Sequence, residues 1–82
     1  MPMSDTPLAE RIARVLAGSA LSSNAEGSDP SAGDKVDAAW QEHLNQAIAV
    51  LHTMREPDHL MAEAGDPQMW TRMVEAAIAD AE

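Results

Sequence analysis

With 82 residues the chain has room for one small domain, a size that buries roughly 60–65% of the surface its unfolded form exposes. It has no cysteine, which excludes disulfides and thiolate metal sites and leaves stability to helix packing and self-association. A formal charge of −9, with fourteen acidic residues against Arg11, Arg14, Lys35, Arg55 and Arg72, excludes a basic stripe for nucleic acid and opposes binding to an anionic membrane.

The aromatic side chains are Trp40 and Trp70, while alanine and methionine are abundant. Both favour helix, and the β-branched and aromatic runs of strands are missing, so the expectation is a small all-α bundle of three to four helices. Residues 1–4 read as a disordered tail. Ser4, Asp5, Thr6 and Pro7 then announce a first helix over about 6–18. Thr6 can cap it, and Pro7 suits the first helical position because its missing N–H would be unpaired there. Leu8, Ile12, Val15 and Leu16 make one apolar stripe, with Arg11 and Arg14 on the other side, and Gly18 is placed as a left-handed stop. The connection 19–33 is rich in serine and glycine, and over 22–33 (SSNAEGSDPSAG) it has no large apolar side chain, which reads as a flexible loop.

A second helix is expected over 34–55, with Asp34 as its cap and Asp37 in its first turn. At about 100° per residue, Val36, Trp40, Leu44, Ala47, Ile48, Val50, Leu51 and Met54 fall within an arc of about 160°. A face that wide touches at least two other helices. Pro57 ends it, Asp58 can cap a short helix over 58–64, and Gly65 stops that helix in turn. Asp66-Pro67 restarts the chain as the last helix, 66–81, in which Trp70, Met73, Val74, Ala77, Ile78 and Ala81 form the cleanest amphipathic pattern. Glu75, Asp80 and Glu82 are the wrong sign for its C-terminal dipole, which predicts a frayed final turn.

Little in the chain points to chemistry. His43 and His52 project from opposite sides of one helix and cannot share an ion, and His52, His59 and Glu56 or Glu63 fall short of a zinc ligand set with familiar spacing. His43 lies between Val36 and Val50 on the apolar side, where a partly buried histidine bonded to a neighbour is the simplest account and a pH switch or general base the alternative. Ser19, Ser22 and Ser23 have no fixed base nearby, and no glycine-rich phosphate loop is present. The expectation is therefore no enzyme, no catalytic residue, no metal and no cofactor.

Met54, Met61, Met69 and Met73 gather around Trp70 in the C-terminal half. Methionine fills irregular gaps in cores, and it also lines surfaces that accept a partner helix or an apolar ligand. The predicted core is Leu8, Ile12, Leu16, Trp40, Leu44, Ile48, Leu51, Met61, Trp70, Met73, Val74 and Ile78. Leu60, Met61, Met69 and Trp70 are expected to fold the last helix onto the second. The candidate interaction surface is Trp40, His43, Met54, Arg55, Met61, Met69, Trp70 and Met73, with Arg55 pairing to Glu56, Asp58 or a helix C-terminus.

The block AVLHTMREPDHLMAEAG followed by MWTRMVEAAI, within residues 47–78, resembles a pattern in small helical proteins of alphaproteobacteria and their phages. There, Met-Arg-Glu-Pro precedes a small polar residue, then Met and Ala-Gly, and later Trp-x-x-Met with an Ala-Ala-hydrophobic ending. The resemblance implies kinship and no mechanism, since that group has no established activity. Asp58 stands where Thr or Ser is usual, and all three can cap a helix. The Gly-to-Trp connection is short, which leaves the direction of the last helix open.

Taken together, residues 1–82 read as a single helical domain, acidic and cytoplasmic, with no segment near the roughly 18 apolar residues of a membrane span and no basic leader. The expected function is a non-enzymatic protein-interaction or structural module that self-associates as a homodimer. A regulator binding an apolar ligand between the second and last helices, or an acidic partner of a basic protein, are the alternatives.

Overall fold

The computed structural model describes residues 3–25 and 32–82, with side-chain surroundings over 3–21 and 34–82. The fold is all-α: α1 (Leu8–Ala25), α2 (Ala32–Ala39), a 3-10 turn (Trp40–His43), α3 (Leu44–Met54), α4 (His59–Ala64) and α5 (Pro67–Ala81). The segment 22–33 expected to be a loop is shorter than that, since 22–25 belong to α1 and 32–33 to α2; the rest of it, 26–31, and residues 1–2 of the expected tail lie outside the described residues.

α1 does not stop at Gly18 but continues to Ala25. Glycine inside a helix costs about 0.5–1 kcal/mol relative to alanine, and here packing against α2 offsets it. A Cβ built at Gly18 would lie 3.7 Å from Val36 Cγ2, an ordinary contact. The buried line of α1 is also not the predicted stripe. It is Ala9, Ala13 and Ala17, at 2%, 0% and 1% exposure, spaced one helical turn apart. Leu8, Ile12 and Leu16 flank that line and are half-buried. Val15 sits about 160° around from Ala13 and is 70% exposed.

The expected single helix over 34–55 is broken. Ala39 (φ −113°, ψ −12°) and His43 (φ −100°, ψ 5°) bracket a 3-10 turn. Four residues at 3.0 per turn advance about 80° more than in an α-helix, which rotates the face of α2 relative to that of α3. The run α2–turn–α3 lies against α1 through all three of its parts. Val36 stands beside Gly18, Asp37 and Trp40 stand at Arg14, and Leu44 shares a depression with Ala9.

Arg14 holds this pairing together. Its Nε donates to Glu10 Oε2 at 2.8 Å, its Nη1 donates to Asp37 Oδ1, and its guanidinium carbon lies 5.4 Å from the centroid of the Trp40 ring. The Asp37 and Glu10 hydrogen bonds hold the guanidinium protonated more firmly than in a free arginine.

The C-terminal half follows the expected punctuation. Asp58 Oδ1 accepts from the Met61 N–H at 2.9 Å to start α4, and Asp66 Oδ1 accepts from the N–H groups of Gln68 (2.9 Å) and Met69 (3.2 Å) to start α5. Gly65 is extended (φ −167°, ψ −164°) and not left-handed, because the chain runs straight from α4 into the Asp66 cap. α5 buries Val74 and Ile78 against Leu51, the one large side chain fully removed from solvent among the described residues. Its last turn is helical to Ala81: the Glu82 N–H donates to the Ile78 carbonyl at 3.0 Å, and Glu82 Oε1 lies 3.5 Å from His52 Nε2.

Of the predicted core, Leu51, Val74 and Ile78 are buried, and Leu8, Ile12, Leu16, Trp40, Leu44, Ile48 and Trp70 are half-buried. Met61 (39%) and Met73 (65%) are exposed: no residue of α4, which carries Met61, is buried, and Met73 lies about 140° around α5 from the buried Ile78. The radius of gyration is 14.8 Å, against about 12 Å for a compact chain of this length. The surface is 6105 Å², against about 4,800 Å² for a compact monomer of this mass.

Gly18→Ala distinguishes a helix interior from a helix stop. It is expected to raise stability by about 0.5–1 kcal/mol in urea unfolding, whereas a left-handed stop at Gly18 would make the same change destabilising.

Candidate interaction surface

Where α3 ends at Met54, its last carbonyls have no helical N–H to accept from, since Pro57 stops the chain from continuing. α5 supplies the missing donors. Trp70 Nε1 donates to the Met54 carbonyl at 2.6 Å, and Thr71 Oγ1 donates to the Arg55 carbonyl at 2.9 Å. The first turn of α5 is thus bolted to the end of α3 by two adjacent side chains. Asp66 makes this possible, because its cap sets where that first turn begins.

With the indole turned to Met54, its remaining face and the neighbouring thioethers form an open groove of about 390 Å³ between α4 and α5. Met61, Met69, Trp70 and Met73 line it, together with Pro57 and Pro67. Met69 is 46% exposed, and beside the groove Leu60 is 77% exposed. The Arg72 guanidinium approaches the Met69 sulfur at 3.8 Å. Leu60, Met61 and Met69 therefore do not fold the last helix onto α3, as expected from the sequence. Trp70 does, by a hydrogen bond as much as by its ring.

The eight candidate residues divide. Met61, Met69, Trp70 and Met73 come together in the groove. Met54 packs half-buried against the core. The Arg55 side chain makes no ion pair among the described residues, so the expected partners Glu56 and Asp58 are not engaged; its backbone carbonyl carries the contact instead. Trp40 and His43 belong to the 3-10 turn, away from the groove. Trp40 lines a smaller depression of about 170 Å³ with Pro7, Leu44 and Ala81, and His43 Nδ1 lies 2.9 Å from Gln46 Oε1, the hydrogen-bonded neighbour anticipated for it.

The sequence reading missed a second apolar face. Leu8, Ile12, Val15 and Leu16 of α1 and Val50 of α3 line a depression of about 370 Å³ whose one charged lining residue is Arg11. The signal was present in Val15, which lies off the alanine line and so points away from the core. Among the described residues no group of three or more metal-ligating side chains is assembled, and no helix is long and apolar enough to cross a membrane. Comparison with protein-family models, curated proteins and solved structures finds no match.

Replacing Trp70 with phenylalanine keeps a ring and removes the donor. Trp70→Phe is expected to cost about 1–3 kcal/mol, because the partly buried Met54 carbonyl loses its partner, and Thr71→Val about 0.5–1.5 kcal/mol, both read from urea unfolding midpoints. Equal midpoints for Trp70→Phe and the parent would show that the indole acts by packing alone.

Proposed function

We propose that this chain is a non-enzymatic interaction module that self-associates through the face formed by α1 and α3. The observation that carries the reading is the composition of that face. Leu8, Ile12, Val15, Leu16 and Val50 present a continuous apolar surface, and its lining contains no carboxylate. Two copies carrying −9 each repel one another, so a self-complementary contact is cheapest where acids are absent.

Packing supports the same reading. A core with Leu51 as its one large, fully buried side chain is small for a chain of this length, and covering Val15 and Val50 would extend it.

Size-exclusion chromatography with light scattering is expected to give twice the 8.8 kDa chain mass, with the dimer strengthened by added salt as like charges are screened. Val15→Glu places a charge on a side chain 70% exposed in the single copy, so the fold is kept and the dimer dissociates to monomer with unchanged helical circular dichroism. A parent protein that stays monomeric at about 0.5 mM, where even a weak contact of about 10⁻⁴ M would be populated, would overturn the reading.

A further inference from the structure

We propose that the groove between α4 and α5 binds a basic amphipathic helix of a partner protein. Its floor is made of Met61, Met69 and Met73 around the free face of Trp70, an unbranched and polarizable lining that can adjust to the apolar side of an incoming helix. The volume of about 390 Å³ suits a few large side chains entering from one side, and it is open along the line between the two helices.

Charge decides what that helix carries on its other face. Asp66 is the one charged residue in the lining, and the chain segment 55–72 that builds the groove also carries Glu56, Asp58 and Glu63 against Arg55 and Arg72. Asp58 and Asp66 are fixed in place at the helix starts, Asp58 by one backbone N–H on its Oδ1 and Asp66 by two, so two of these negative charges are ordered before any partner arrives. The rest of the molecule adds to the same sign, and the resulting field draws in a positively charged ligand. A second copy of this chain is the poorer occupant, because a two-fold contact here would set these carboxylates against their own counterparts. On the α1–α3 face a two-fold contact sets only Arg11 against its counterpart, a smaller penalty than several carboxylates, so the two faces call for different partners.

The test uses the full chain labelled with carbon-13 at the methionine ε-methyls. The probe is a Leu/Lys amphipathic peptide of about 14 residues, roughly 21 Å long as a helix, beside a Leu/Glu peptide with the same apolar face. The Leu/Lys peptide is expected to shift the methyls of Met61, Met69 and Met73 while leaving that of Met3, which is 93% exposed in the N-terminal segment, unmoved. The Leu/Glu peptide is expected to leave all of them unmoved. Raising salt from about 50 to about 500 mM should weaken the complex, opposite to its effect on the dimer.

The double variant Met61→Gln with Met73→Gln changes no charge and alters two exposed positions, so the fold is kept and affinity should fall roughly tenfold or more. Undiminished affinity in that variant would reduce the binding to charge attraction and overturn the proposal. So would binding of the Leu/Glu peptide, or the same methyl shifts on concentrating the protein alone, which would assign the groove to a second copy. Val15→Glu should bind the Leu/Lys peptide as the parent does, so a failure of this proposal is read separately from a failure of the dimer.

Discussion

Two backbone carbonyls at the end of α3 decide how the C-terminal half of this molecule is arranged. A helix end leaves acceptors that must find donors or water, and a proline three residues on removes the chance of continuing the ladder. Trp70 and Thr71, neighbours in the first turn of α5, meet the carbonyls of Met54 and Arg55, themselves neighbours at the last turn of α3. Once that bolt is in place, Val74 and Ile78 follow at helical spacing onto Leu51, and the core is closed. The same bolt turns the indole so that its other face is left to the methionines. Fold and surface at this corner therefore come from one arrangement.

Much of this was legible in the residues. The stops and restarts at Pro57-Asp58 and Asp66-Pro67 could be placed because proline and capping aspartate act locally, and their bonds lie within three residues. The amphipathic spacing of α5 likewise named Val74 and Ile78, its two buried side chains, along with Met73, which is exposed. What was not legible depends on distant groups. The break at Trp40–His43 has no glycine or proline to announce it; it answers the need of α2 and α3 to lie along one straight partner. Arg14 looked like a solvated charge on the wheel of α1, and its carboxylate on α2 is 23 residues away. The indole hydrogen bond spans 16 residues and leaves no local pattern. Among the methionines, periodicity could name the group but could not say which side of the core it would stand on.

The distribution of charge gives the surface its logic. Acidic residues are spread over most of the chain, yet the depression of α1 and α3 has Arg11 as its one charged lining residue, while the groove of α4 and α5 has Asp66, ordered by its bonds to the start of α5. Two apolar surfaces of similar size on one small protein thus differ in the sign of what surrounds them. That difference, more than their area, sets what each can meet without electrostatic cost.

The alanine line of α1 changes where this protein is vulnerable to mutation. In most small domains the sensitive positions are the large core residues, which lose volume when replaced. Here Ala9, Ala13 and Ala17 have almost no exposure, and they face a neighbouring run that follows them closely along the helix. Any commoner side chain at those positions adds volume where there is none to spare, and the helices must separate to admit it. A random substitution in α1 is thus more dangerous at Ala9, Ala13 and Ala17 than at the much larger Val15.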